Sequence, residues 1–359
     1  MTGLTPGSGR AGVYNLNRAL ALFGLTATIL LAGCNGGSSN TASTTTGSGT
    51  TGSSGGQTDG KAIKVGMVFD SGGRGDKSFN DSAYAGLERA KKELGIEFAT
   101  VDSKAEKEYE TNLETLSERG YDLVLAVGIT QGEALKRVAP KHPDIKYAIV
   151  DADVKGDNVR SLLFSEEQGS YLAGYLAGLT TKTNKIGFVG GKSIPLIKKF
   201  EAGYFAGAKA ANPKVEALPS KYTESWDDTL LGKQSAASLF NSGADIVYHA
   251  AGRCGLGVIS AAKDAGKLAI GVDSDQDDVA PGSVLTSMVK RVDEAVFATV
   301  QDVKNGSFEA GAKSYDLKAN GVGLTEMKHT KDKIPADAMQ KLEAVKADII
   351  SGKIKVPTS

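Results

Sequence analysis

Cysteine and histidine are scarce in this sequence, and that scarcity removes whole classes of function. Only Cys34 and Cys254 occur in 359 residues. The three histidines, His142, His249 and His329, are scattered, with no two at ligand spacing. This argues against a dedicated metal site, and no cofactor is expected. Neither sign of charge is in excess, since 42 basic residues balance 42 acidic ones. The chain therefore lacks the footprint of a nucleic-acid binder, and nothing in it favours an acidic substrate. Nucleotide motifs fail as well. Gly252-Arg253-Cys254-Gly255-Leu256-Gly257 has its glycines in the wrong order for a dinucleotide turn. Gly191-Lys192-Ser193 ends like a phosphate loop, but Ile186 stands where the first glycine should be, and Pro195 follows closely. The acidic run Asp273 to Asp278 lacks the sixth-position glycine and twelfth-position glutamate of a calcium loop. No nucleophile and histidine share a local catalytic signature.

What is present begins with an address. Arg10 and Arg18 precede an apolar segment, Ala19 to Ala32, too short for a comfortable membrane span. It ends Leu31-Ala32-Gly33-Cys34, which resembles a bacterial lipoprotein signal. That resemblance implies cleavage before Cys34 and lipidation of its thiol. Acyl chains anchor strongly, at about 0.8 kcal/mol for each buried methylene. From Asn35 to about Gly60 the chain is glycine, serine, threonine and asparagine with almost no apolar residues. Such a segment cannot bury enough surface to fold and reads as a tether. The expected organisation is a signal over residues 1–33, a tether over 34–60, then a globular body held at the outer face of a membrane. With Cys34 lipidated, Cys254 has no disulfide partner and reads as a small buried hydrophobe.

The body alternates strand and helix patterns, which argues for parallel sheets covered on both faces. Ile63 to Asp70 reads as a buried strand, followed by a glycine-rich turn and a helix from about Ser78 to Leu94. Ser78 has the chemistry of an N-cap, with Asp81 three residues on. Further strands are expected at Ile96–Val101, Asp122–Val127 and Lys146–Val150. The pattern then restarts with a helix from Glu166 to Leu179. Its Gly169, Gly174 and Gly178 suit close helix packing. Strands follow at Lys185–Val189, Val215–Pro219, Asp245–Ala250, Lys267–Val272 and Val284–Lys290. Helices are expected at Val258–Ala265, Val292–Lys304 and Ile334–Ile350. Two successive α/β units of similar size make two lobes, each an open doubly wound sheet. One comprises residues 61–165 with about 292–320, the other 166–291 with about 321–359.

Charged residues recur at strand ends: Asp70, Asp151, Asp273 and Lys290. A single carboxylate there is ordinarily a helix cap. Three carboxylates and a lysine at similar topological places favour a ligand site in a cleft between lobes. Phe79 and Asn80 stand at the same end of the first strand. Phe79 can equally be a first-turn packing residue.

Five segments together resemble the basic membrane protein family of bacterial substrate-binding lipoproteins, a group that includes purine-nucleoside receptors. They are Gly75-Asp76-Lys77-Ser78-Phe79-Asn80; Phe188-Val189-Gly190-Gly191 with Pro195; Phe200-Glu201-Ala202-Gly203-Tyr204; Ala250-Ala251-Gly252 with Gly255 and Gly257; and Gly271-Val272-Asp273-Ser274-Asp275-Gln276. The ending Ile350 to Pro357 is similar too. The resemblance spans about Lys61 to Thr325. It implies a type I periplasmic-binding fold with a hinge, and delivery of ligand to an ABC-type permease. It implies that Phe79 and Phe200 hold a base from opposite lobes. Asn80 and Asp151 would read its polar edges, and Gly252 would allow close backbone approach. Asp273 with Lys290 would hold a ribose. Arg253-Cys254 departs from the small residues usual after Ala-Ala-Gly. The expected protein is a non-enzymatic monomer, with a purine nucleoside, a permease and the bilayer at Cys34 as partners. A binder of another planar ligand such as a flavin, a sugar binder, a surface sensor and a nucleoside-processing enzyme are the alternatives. Trp226, the only tryptophan, either lines the cleft or braces the hinge.

Overall fold

The computed structural model describes residues 62–359. The signal segment, the tether and Cys34 lie outside the described residues. The chain opens with β1 (Lys64–Phe69), α1 (Phe79–Leu94), β2 (Glu97–Asp102), α2 (Tyr109–Glu118), β3 (Leu123–Val127), α3 (Gly132–Val138), β4 (Lys146–Val150) and β5 (Val159–Phe164). It continues with α4 (Glu166–Thr180), β6 (Lys185–Gly190), α5 (Pro195–Ala211), two short strands β7 (Glu216–Ala217) and β8 (Lys221–Tyr222), and α6 (Thr229–Asn241). Then come β9 (Ile246–Ala250), α7 (Cys254–Asp264), β10 (Leu268–Asp273), β11 (Val284–Lys290), α8 (Val292–Lys304), β12 (Gly311–Tyr315), β13 (Val322–Leu324) and α9 (Ala338–Ile350).

Two sheets result. The first runs β12-β5-β4-β3-β1-β2, and every pairing in it is parallel. The second runs β13-β11-β10-β9-β6-β7, with β8 beside β6 and only β13 antiparallel. All five residues of β3 are buried, as a parallel strand covered on both faces requires. The chain crosses between sheets three times: from β5 to α4, from β11 to α8, and from β12 to β13. Both sheets reverse their winding at the same place, between β1 and β3 in one and between β6 and β9 in the other. Such a reversal splits the loops apart at the carboxyl ends of two neighbouring strands and leaves a crevice for a ligand.

Several local expectations need correction. The sequence pattern signals no strand between Asp151 and Glu166, yet β5 is there and pairs with both β4 and β12. The strand expected at Val215–Pro219 breaks into β7 and β8, because Pro219 has no N–H to give a ladder. Helix α7 begins at Cys254, four residues before the expected start. Its glycines belong to helix packing: a Cβ on Gly257 would stand 1.9 Å from the Thr229 carbonyl oxygen of α6. In the same way a Cβ on Gly174 in α4 would meet the Tyr204 carbonyl of α5 at 1.8 Å. Helix α9 starts only at Ala338, since Pro335 holds Ile334 in an extended conformation.

Candidate functional site

A cavity with about 570 Å³ of empty space, its mouth included, lies between the two sheets. It is lined by Asp70, Gly72, Asp76, Phe79, Asn80, Gly128 and Asp151 from the first sheet's side. Leu196, Phe200, Trp226, Gly252, Asp273 and Lys290 line it from the second. All eight residues singled out in the sequence as ligand contacts therefore meet around one space. Both winding reversals open onto it. Gln131 holds the first one apart, donating to the Val68 and Val127 carbonyls of β1 and β3, each at 2.9 Å.

The start of α1 is capped differently from the sequence expectation. Asp76, not Ser78, closes it, accepting the backbone N–H groups of Ser78, Asn80 and Asp81 at 3.0, 2.9 and 3.1 Å. Asp81 folds back to accept from Gly75 and Lys77. A carboxylate satisfies several orphan donors at once and favours the positive end of the helix, so it displaces the hydroxyl. Ser78 is then free to reach the other lobe. Its hydroxyl donates to Asp273 Oδ2 at 2.6 Å, with the Val272 carbonyl at 3.1 Å. Asp76 lines the cavity and is not among the expected contacts, although it lies inside the Gly75–Asn80 segment.

Asn80 is oriented by Asp70, whose Oδ1 accepts both the Asn80 amide at 3.0 Å and the Gly72 N–H at 2.9 Å. The Asn80 Oδ1 is buried with no protein partner, and the same holds for Asp151 Oδ1 and Trp226 Nε1. Buried polar groups without partners are costly, so three in one cavity point to a ligand with matching donors and acceptors. Gly252 has φ of +54°, and a Cβ there would come within 3.0 Å of the Trp226 carbonyl. Only glycine suits both demands.

Lys290 acts on Asp273 through its charge, and its direct bond is to another carboxylate. Its ammonium donates to Asp151 Oδ2 at 2.6 Å and stands 3.8 Å from Glu166, while Asp273 takes Ser78 instead. Asp151 sits in the left-handed region, φ 71°, at the turn after β4. The Lys290 ammonium also lies over the rings of Phe79, Phe164 and Phe200, at 4.8, 5.2 and 5.6 Å from their centroids. Burial opposes its charge, but Asp151, Glu166 and Asp273 outweigh that, and its pKa is raised. Burial pushes Asp70 and Asp273 each up to about 6, against the Asn80 bond in one case and Lys290 in the other. Asp76 and Glu166 are raised by burial too. With four carboxyls and one ammonium lining it, the cavity suits a neutral ligand carrying hydroxyl or N–H donors. Among the described residues no cluster of histidine, cysteine and carboxylate is arranged to hold a metal ion. Cys254 is buried, its thiol facing the Ser225 carbonyl at 3.3 Å, and burial raises its pKa.

Comparison with known proteins agrees with this architecture. Residues 63–359 match the family described as ABC transporter substrate-binding protein PnrA-like. A Listeria innocua protein named CD4+ T-cell-stimulating antigen is 38% identical over 362 residues, covering 94% of this chain and 98% of its own. The ABC transporter nucleoside-binding protein BmpA of Lactococcus lactis is 36% identical, with 84% and 92% covered. Among solved structures, a solute-binding protein of an ABC transporter system from Aeropyrum pernix K1 superposes with a TM-score of 0.78 at 33% identity, covering 83% of this chain and 94% of its own. Two open parallel sheets around a ligand cavity are thus the periplasmic-binding architecture, and the chain belongs to the basic membrane protein family of PnrA-like ABC transporter substrate-binding proteins.

Proposed function

We propose that this substrate-binding protein captures a purine nucleoside in the cavity between its lobes and presents it to its permease. The observation that carries the reading is the company the cavity keeps. Two phenylalanines from opposite lobes line one space with unpartnered Asn80 Oδ1 and Asp151 Oδ1. An apolar planar slot desolvates a base, and stacking contributes about 1–3 kcal/mol for each contact. Asn80, fixed by Asp70, offers an acceptor to a base N–H. Asp273 accepts from ribose hydroxyls by charge-assisted bonds. Lys290 assists Asp273 at the ribose through its charge and holds Asp151 by a direct bond. A phosphate is disfavoured by the four carboxyls around it.

Residues 61–165 with about 292–320 form one lobe in this reading, and the remainder of the body forms the other. The lobes close on the ligand about the three crossings, a hinge motion. Cys34 carries the lipid anchor and keeps the protein, as a monomer, at the outer face of the membrane. The Lactococcus lactis relative's name supports the nucleoside assignment.

Native mass spectrometry of the protein with an equimolar mixture of inosine, guanosine, adenosine, riboflavin and ribose tests the reading. A purine nucleoside complex is expected. Capture of riboflavin or ribose alone replaces it.

A further inference from the structure

Arg253 breaks the run of small residues at the end of β9, and the ligand site as described has no use for it. Its side chain crosses to the other lobe. Nη2 donates to the carbonyl of Arg74, in the loop after β1. The guanidinium packs against a loop whose Gly73 and Gly75 have φ of +62° and +87°, a conformation that side chains rarely adopt. Arg74 is itself pinned, its guanidinium 3.7 Å from the centre of the Tyr84 ring on α1. At the base of the bridge, the Arg253 N–H donates to the Trp226 carbonyl at 2.9 Å. A second bridge stands nearby: Lys192 Nζ, in the loop after β6, lies 2.7 Å from Glu106 Oε1, just beyond β2.

The sheet order gives these two bridges their leverage. The crossings between lobes leave from β5, β11 and β12, at one side of the sheets. Lys192 follows β6, and Arg74 and Glu106 follow β1 and β2, toward the opposite side, while Arg253 follows the central β9, two strands away from β11. A contact far from the axis of a hinge opposes opening more than one close to it. Arg253 and Arg74 also immediately follow the cavity-lining Gly252 and nearly follow Gly72.

We propose that Arg253, assisted by Lys192, latches the two lobes across the mouth of the cavity and sets how long a bound ligand stays. The latch side chains bond Arg74 and Glu106, not Asn80, Asp151 or Asp273, so the latch governs release and not discrimination. Its two parts differ in salt response. The Lys192–Glu106 pair is partly exposed and is screened by salt. Arg253 bonds a neutral carbonyl, and its contribution persists at high salt. The proposal rests on two-lobed binding, not on the nucleoside identity.

Two measurements test it. Small-angle X-ray scattering compares ligand-free wild type with the Arg253→Ala/Lys192→Ala double variant. The variant is expected to be more open, with a larger radius of gyration, and matching profiles overturn the latch. Stopped-flow fluorescence of Trp226, the single tryptophan, then follows inosine release and uptake. Arg253→Ala should release inosine about tenfold faster, and Lys192→Ala about two- to threefold faster at low salt only, with uptake changed less than about threefold. Unchanged release, or an affinity loss lying wholly in uptake, overturns the proposal. Lys192 is at the surface, so its variant keeps the test open if Arg253→Ala folds poorly. If inosine does not bind wild type, the nucleoside reading fails while the scattering comparison still decides the latch.

Discussion

Lys290 Nζ and Asp151 Oδ2 lie 2.6 Å apart, joining the end of β11 in one sheet to the turn after β4 of the other. Both are almost wholly buried, and Glu166 adds a second carboxyl 3.8 Å from the same ammonium. Removing the cation strands two buried carboxyls. Lys290→Met should therefore lower stability by about 3–5 kcal/mol, and Lys290→Met with Asp151→Asn should recover much of it. Urea unfolding checks both. A loss below about 1 kcal/mol for the single variant contradicts the view that this pair bears structural weight.

Phe79 and Phe200 share the cavity but differ in surroundings. Phe200 is 3% exposed, whereas Phe79 is half-buried. Each alanine variant should weaken nucleoside binding by about 1–3 kcal/mol. Phe200→Ala should also lose about 3–5 kcal/mol of stability, and Phe79→Ala distinctly less. Calorimetric titration beside thermal melting separates the two effects. Unaltered affinity in both variants makes the rings core residues only.

The buried carboxyls make stability depend on pH in a stated direction. Asp273 is pushed from 3.8 to about 6 by burial, so the folded protein holds this proton more tightly than the unfolded chain does. The stabilisation is complete below about pH 4 and is lost as pH rises through about 6. Asp273→Asn removes that dependence. The variant should gain on wild type between pH 4 and pH 7, by up to about 3 kcal/mol. Buried His249, pulled down to about 4 by burial, acts in the opposite sense but is common to both proteins. Ligand-free melting curves across this range check it, and a difference that is constant with pH contradicts it.

The proposed anchor rests on Leu31-Ala32-Gly33-Cys34 after an apolar segment. Cys34→Ser should shift the protein from the membrane fraction to the soluble fraction in detergent-free buffer. Continued sedimentation with membranes would mean a different anchor.

The sequence made the strands with continuous apolar runs plain, because burial on both faces leaves no room for polar alternation. Hence β3 and β4 were legible almost to the residue. Strand β12, Gly-Ala-Lys-Ser-Tyr, was not, since four of its five residues are exposed at a sheet edge and carry no apolar signal. The site residues were legible as strand-end charges beside a quoted motif. Their partners were not. Whether Lys290 meets Asp273 or Asp151 depends on how two lobes sit across a gap, which no local spacing records. Ser78 illustrates the same limit: its sequence position suits a cap, but Asp76 outcompetes it and Ser78 bonds a residue 195 positions away. Trp226 left no pattern at all, and only the folded chain puts its ring against Gly191 at the edge of the cavity.

The central claim is that the cavity recognises base and ribose together. Isothermal titration of inosine and adenosine against hypoxanthine and adenine, with wild type and Asp273→Ala, tests it most directly. Ribonucleosides should bind wild type at least about tenfold more tightly than their free bases, a difference of about 1.4 kcal/mol. Asp273→Ala should cost about 2–4 kcal/mol with the ribonucleosides and little with the bases. Equal affinity for base and nucleoside, untouched by the substitution, would contradict the assignment.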